Sequence, residues 1–464
     1  MAKKTDIRIY GKEILNITGT ELVSPADEYS IDTVSIDTRT LTAGSLYIAL
    51  RGEKHDGHTF IQDAIAKGAA YIAVDRNYNL NAAPESSARY IVTDNTTAFL
   101  GSLARIRRNK LSATVIAITG SNGKTTTKDI LSTLLGTRFR TVSTRANDNN
   151  HIGVPLTIFR CDAATQMLVL ELGTNHFGEI PYTASIAQPD LALITVIGDS
   201  HLEYLKNRRG VLKEKEAIFT FTAARGGKVF LNLDDALLKG LVKKYKDAVT
   251  FSTSGKAAYT GRMLKQKKGF FSQAKITGKK LKAEFTMPLL GEHSLGNILA
   301  AAALAHSAGL PEAYILRGMR KVKPARSRLE LIKTGNTVII DDTYNANPNS
   351  MQAALRLLSS MESGAKKIAV LGDMFELGEQ SVKLHTALAP VIRKLAIDEV
   401  ILTGEQMRHL FKVIQDKKKN IIYFDNGEML SSYLKSIRSE KALYLFKGSR
   451  GMRMEQFINP VTGA

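Results

Sequence analysis

At residues 113–119 a short β-branched run, Ala113-Thr114-Val115-Ile116-Ala117-Ile118-Thr119, leads into Gly120-Ser121-Asn122-Gly123-Lys124-Thr125-Thr126. A helical stretch follows to Leu135. An apolar strand with no polar alternation is buried on both faces, which requires a parallel sheet covered by helices. The glycines let backbone N–H groups approach phosphate oxygens, and the following helix presents its positive end to them. Lys124 is placed to bridge β- and γ-phosphates, and the Thr125 hydroxyl to occupy a Mg²⁺ position. The loop departs from the usual phosphate-loop spacing, because Ile118 stands where a first glycine is expected. The chain lacks a guanine-reading Asn-Lys-x-Asp, which favours ATP over GTP.

The strand–helix alternation continues. Apolar runs at 167–172, 191–196 and 229–233 predict strands of a mostly parallel, doubly wound sheet, and the Ala-rich 297–308 predicts a helix. At ~150 residues per domain, 464 residues suggest roughly three domains. An N-terminal α/β block with strand-like 45–50 and 71–74 ends in a helix at 95–110. Its Arg105, Arg107, Arg108 and Lys110 suit a helix C-terminus at a boundary. Lys321-Val322-Lys323-Pro324 reads as a linker. A third, smaller, Rossmann-like α/β block follows, with strands at 338–342, 368–371, 400–402 and 443–446 and a helix at 350–359. The expected domains are 1–110, 111–323 and 324–464.

Several polar residues fall where open α/β sheets bind ligands, beyond strand carboxyl ends. Glu171 ends one strand, and its place after the phosphate loop makes it a candidate Mg²⁺ ligand. His201 follows the next strand, and Lys215 lies on a charged helical stretch. Each has an ordinary structural alternative. Asp341-Asp342-Thr343-Tyr344-Asn345-Ala346-Asn347-Pro348-Asn349 is either part of a site or an Asx turn and N-cap.

One cysteine, Cys161, excludes an intrachain disulfide framework and a multi-cysteine zinc site. No run approaches the ~18 apolar residues of a membrane span, and no secretory leader is visible, so a soluble cytoplasmic protein is expected. The formal charge of +20 attracts anions, nucleic acid included. The clearest basic run is 262–282, with eight Lys or Arg and no acid. It reads as a solvated hairpin face; its only aromatics, Phe270 and Phe271, are adjacent rather than spaced for stacking.

Together these segments resemble the Mur ligase family, ATP-dependent amide-forming ligases of peptidoglycan precursor synthesis. Asp37-Thr38-Arg39, Gly44-Ser45-Leu46-Tyr47-Ile48-Ala49-Leu50-Arg51-Gly52 and Asp56-Gly57-His58 are similar to its N-terminal UDP-sugar-binding domain, which implies roles for Thr38 and Arg39. Residues 119–126 resemble its ATP loop, implying nucleotide contacts from Gly120, Ser121, Asn122, Gly123, Lys124, Thr125 and Thr126. Gly291-Glu292-His293-Ser294-Leu295-Gly296-Asn297 resembles its adenine-side Gly-x-His-Asn-x-x-Asn. Ser294 replaces the first Asn, leaving Asn297 as the adenine contact. Arg328 and Asp342 resemble its third-domain nucleotide residues.

Asn149-Asn150-His151-Ile152-Gly153-Val154-Pro155, 171–180, 342–348, 371–378 and Lys447-Gly448-Ser449-Arg450 are similar to the branch that adds D-Ala-D-Ala to UDP-MurNAc-tripeptide. That likeness implies peptide-substrate contacts from Asn149, Asn150, Asn175, His176, Tyr344, Asn345 and Asn347. It also implies a second Mg²⁺ on Glu171, His201 and a carbamylated Lys215, with Lys124, Lys215 and His201 as catalytic groups. A monomer with no specific nucleic-acid partner is expected. Another Mur-type or folylpolyglutamate-synthase-like ligase, or a P-loop nucleic-acid-dependent ATPase, stays open as an alternative.

Overall fold

A computed structural model of the chain describes residues 6–82, 87–266, 271–362, 364–414, 419–438 and 441–463. Among these residues the strands form sheets of two, five, nine and six strands. This gives three α/β units, as the strand–helix alternation predicted.

The N-terminal sheet runs Thr20–Leu22, Arg89–Thr93, Tyr71–Asp75, Leu46–Ile48, Val34–Ser35, parallel except at its first pair. The helix Thr96–Lys110 then packs this unit onto the next. Its Phe99, Leu100, Leu103 and Ala104 join one continuous apolar cluster that reaches from Ile7 to Leu238. The fully buried Phe99, Leu100 and Leu103 side chains each contribute roughly 1.5–3 kcal/mol. The basic end of this helix was expected at a boundary, but Arg107 and Arg108 are buried. Arg107 donates to Ile7 O (2.6 Å), Cys161 O (3.1 Å) and Asp32 (3.0 Å). Arg108 donates to Ala187 O, Gln188 O and Asp190. They clasp the two units rather than only offsetting a helix dipole, because unpaired carbonyls beside them would be costly in a dry interface.

In the nine-stranded sheet Thr114–Thr119 lies between Leu191–Ile194 and Met167–Glu171, parallel to both. Glu171 pairs in register with Ile118, so both strands deliver their last residues to one edge. The far side continues through Lys228–Asn232 and Val249–Ser252 to an antiparallel meander, Tyr259–Gln266, Ser272–Gly278 and Leu281–Thr286. This is the hairpin expected for the basic run. Ala274, Ile276, Leu281, Ala283 and Phe285 are buried, while Lys275 pairs with Glu284 at 2.7 Å on the open face. Of that run, Lys267, Lys268, Gly269 and Phe270 lie outside the described residues.

The third unit orders Glu330–Thr334, Thr337–Asp342, Ala442–Lys447, Lys366–Leu371, Glu399–Thr403, Asn420–Phe424, parallel after the first pair. Asp342 and Lys447 are register partners at its carboxyl edge. Among the described residues no helix is long and apolar enough to cross a membrane.

Candidate active site

A cavity of about 650 Å³ separates the carboxyl edges of the central and third sheets. The phosphate loop forms one wall. Gly120 (φ +149°) and Gly123 (φ +79°) supply backbone conformations that side chains resist. A Cβ at Gly120 would sit 1.9 Å from Thr195 Oγ1, and one at Gly123 2.3 Å from Asn297 Oδ1. The loop is fixed from behind: Ser121 N–H donates to Val196 O at 2.8 Å, and Thr195 Oγ1 donates to Asn122 O at 2.5 Å. Lys124 opens the helix Lys124–Leu135, and its Nζ donates to Gly120 O at 2.8 Å. Burial holds the Lys124 amine below its ordinary pKa, with Arg328 adding to the shift and Glu171 opposing it.

The third unit closes over this loop. Arg328 lies 3.8 Å above the Tyr344 ring centroid and donates to Thr125 Oγ1 at 3.1 Å. Asn347 and Asn122 exchange amide hydrogen bonds, with Asn347 donating at 2.7 Å and Asn122 at 3.2 Å. Asp199 N–H donates to Asn349 Oδ1 at 3.1 Å, and Tyr344 O–H donates to Asn147. Lys447 is buried, donating to Asp342 (2.6 Å) and to Asn345 O (3.0 Å). Within 341–349, Asn347 caps the helix Pro348–Ser360 and also faces the phosphate loop.

Thr119 Oγ1, Glu171 Oε2, His201 Nδ1 and Lys215 Nζ are buried side-chain atoms without a hydrogen-bond partner. Asn149 Nδ2 donates to Glu171 Oε1 at 2.9 Å, but Glu171 Oε2 is unpartnered. Lys215, fully buried on the helix Arg208–Ala224, leaves its Nζ unpartnered as well. Burial, reinforced by Lys124, lowers its pKa far below the usual lysine range. Such orphaned groups in a native interior call for a ligand or modification. His201 is pushed down by burial; its Nδ1 lies 2.5 Å from Glu376 Oε2. Contact with His201 holds the Glu376 carboxyl below its ordinary value. Among the described residues no three His, Cys, Asp or Glu side chains form a cation cage by themselves.

Of the residues singled out from sequence, Ser121, Asn122, Gly123, Lys124, Thr125, Thr126, Asn149, Glu171, Asn175, His201, Asn297, Arg328, Asp342, Tyr344, Asn345 and Asn347 line this cavity. Gly120 backs it through Lys124, and the buried Lys215, which does not line it, interacts electrostatically with Lys124 and Glu171 of its wall. Others lie elsewhere. Asn150 Oδ1 accepts from Ile152 and Gly153 N–H at the start of a helix. His176 is exposed, packed on Tyr204 and paired with Glu179. Arg39 is exposed and paired with Asp37, while Thr38 O accepts from Lys67.

Glu376, Phe375, Asn147, Ser449 and Arg450 also line the cavity and were not singled out as site residues. The available signal was the glycine-flanked 372–378 turn at a strand's carboxyl end, the same placement that marked the phosphate loop.

Three family profiles match the chain: Mur ligase family, catalytic domain, at residues 30–108; Mur ligase middle domain at 118–305; and Mur ligase, glutamate ligase domain at 327–450. The UDP-N-acetylmuramoyl-tripeptide–D-alanyl-D-alanine ligase of Bacillus subtilis is 35% identical over 451 residues, covering 96% of this chain and 97% of its own. The Escherichia coli enzyme of that name is 33% identical, covering 93% and 94%. A crystal structure of MurF from Acinetobacter baumannii superposes with a TM-score of 0.87 at 28% identity, covering 98% and 99%. MurF ligase from Thermotoga maritima in complex with ADP gives 0.80 at 27% identity, covering 93% and 97%. With this likeness running through all three units, the chain belongs to the Mur ligase family.

Proposed function

We propose that this protein joins D-Ala-D-Ala to UDP-MurNAc-tripeptide, using ATP, to form UDP-MurNAc-pentapeptide, ADP and phosphate. The observation that carries the chemistry is the cavity itself: a phosphate loop faces Arg328, Asp342 and Lys447 of the third unit across one cleft. The relatives of that name, and a neighbour whose structure contains ADP, support the substrates.

The terminal carboxylate of the tripeptide attacks the γ-phosphorus of ATP, and the bond to ADP breaks. The amine of D-Ala-D-Ala then attacks the acyl carbon, loses a proton, and phosphate leaves. Lys124, Arg328 and the backbone N–H groups of the loop offset phosphate charge as it moves between oxygens. The third unit excludes water that would hydrolyse the acyl phosphate.

Glu171, with a free carboxylate oxygen, and His201 fit a cation, as does Thr125. A Mg²⁺ there would supply Lewis-acid charge neutralisation. Burial favours the neutral Lys215 amine, the form that adds to CO₂ with loss of a proton. The resulting carbamate would give the cluster a third anionic or imidazole ligand. Thr38 and Arg39 are assigned to the UDP-sugar, and Asn150, Asn175, His176, Asn345 and Asn347 to peptide, by family resemblance. Domain limits of 1–110, 111–323 and 324–464, a monomeric state and a cytoplasmic location complete the reading.

The test is product mass. A pentapeptide product formed from UDP-MurNAc-tripeptide only when ATP and D-Ala-D-Ala are both present is expected. Condensation of a single amino acid with a shorter nucleotide-peptide would assign another ligase branch.

A further inference from the structure

Glu376 reaches the cavity from the third unit, on the turn that leaves the carboxyl end of Lys366–Leu371. The preceding residues of that turn are tied down. Asp373 accepts from Gln406 and Met407 N–H at 3.1 and 2.7 Å. Met374 N–H donates to Nε2 of buried His385 at 2.9 Å, and His385 Nδ1 donates to Ser381 O at 2.8 Å. Phe375 N–H donates to Ser449 Oγ at 2.8 Å.

Glu376 itself is left-handed, with φ +62°, and so is His201, with φ +53°. Non-glycine residues persist in that conformation only where the surroundings over-determine it, and such strain gathers at functional sites. Here the two strained residues meet. His201 Nδ1 is 2.5 Å from Glu376 Oε2, and the nearby Glu203 N–H donates to Glu376 O at 3.3 Å. The contact is an ion-pair approach and not a formed hydrogen bond, so His201 Nδ1 is left without a hydrogen-bond partner. An imidazole that binds a cation through one nitrogen is usually oriented by a carboxylate at the other.

We infer that Glu376 is a positioning residue for His201: a carboxylate delivered by the third unit turns the imidazole so that Nε2 is left to face the cation. The ligand set contributed by the central unit is therefore complete only while the third unit is docked. This rests on His201 being a cation ligand, as proposed above.

The test is Mn²⁺ titration, followed by electron paramagnetic resonance, of the full chain with a non-hydrolysable ATP analogue and bicarbonate. The wild type, E376Q, E376A and H201A are compared. Two bound ions are expected in the wild type. E376A should weaken one of them by roughly 10–100-fold, the range for loss of a supporting partner. E376Q keeps an oxygen that accepts from Nδ1–H and should stay within about threefold of wild type. H201A marks the value for a lost ligand. Two ions held by E376A as tightly as by wild type would overturn the positioning role and leave the ligand reading intact. E376Q as weak as E376A would overturn it too, since a bare charge effect needs no orientation. If wild type and H201A bind the same number of ions with equal affinity, the ligand reading fails and the inference with it.

Discussion

Removing the Asn347 side chain tests whether the third unit acts through the phosphate loop. Asn347 makes two kinds of contact. It exchanges amide hydrogen bonds of 2.7 and 3.2 Å with Asn122, and its Oδ1 accepts from Ser350 N–H at 2.9 Å as a helix cap. A neutral hydrogen bond contributes about 0.5–1.5 kcal/mol, so the reciprocal pair is worth roughly 1–3 kcal/mol. Losing the cap costs about 1 kcal/mol of fold stability and is a separate effect. N122A removes the pair without touching the cap; N347D keeps a capping oxygen but cannot donate to Asn122. The account predicts that N122A and N347A each lower kcat/KM for ATP by roughly 5–150-fold, the kinetic equivalent of 1–3 kcal/mol. Only N347A should also lower Tm. In a double-mutant cycle the doubly substituted protein should lose little more than either single variant, giving a coupling above about 1 kcal/mol. Strictly additive losses, or full activity in N122A, would refute the idea that this pair couples the third unit to the loop.

Three further outcomes follow from the geometry. K215M replaces a buried, unpartnered amine with an apolar chain of similar length, so Tm should hold or rise while phosphate release falls at least ~100-fold; retained activity would remove Lys215 from the mechanism. R107A withdraws a charged donor from Ile7 O, Cys161 O and Asp32, and should cost about 3 kcal/mol in urea unfolding, with hydrogen exchange accelerated around residues 7–32; unchanged exchange there would refute the clasp. Although burial opposes it, the Ser252, Ser254 and Thr253 donors hold the Asp234 carboxyl down to about 2. Its stabilisation is therefore present above the unfolded value of 3.8 and lost as pH falls through 2. D234N should be about 1 kcal/mol less stable than wild type at neutral pH, after allowance for solvent screening, with the gap closing between pH 4 and 2; a gap independent of pH would contradict the assignment.

The central strand, the loop and the placement of Glu171 were legible because each is a local consequence of residue order. The basic hairpin was legible for the same reason: its alternation puts Ala274, Ile276, Ala283 and Phe285 on the inner face. Lys215 was harder to read among its charged neighbours, yet a signal existed. Val211, Ile218, Phe219 and Thr222 are buried at helical spacing around it, which puts Lys215 on the inner face. The helix ends at Lys110 as its basic residues suggested, but the burial of Arg107 and Arg108 was not legible, because a basic helix end has an ordinary electrostatic explanation that hides an interface. The partnerships of Asn122 with Asn347 and of His201 with Glu376 depend on how two sheets dock, and no local pattern encodes that angle.

The most direct test of the account follows oxygen. The terminal carboxylate of UDP-MurNAc-tripeptide is labelled with ¹⁸O, and the tripeptide is incubated with the protein, ATP and D-Ala-D-Ala. If the cavity forms an acyl phosphate, one labelled oxygen per pentapeptide is recovered in inorganic phosphate and the other stays in the new amide. Pentapeptide formed with unlabelled phosphate, or phosphate released with no pentapeptide, would contradict it.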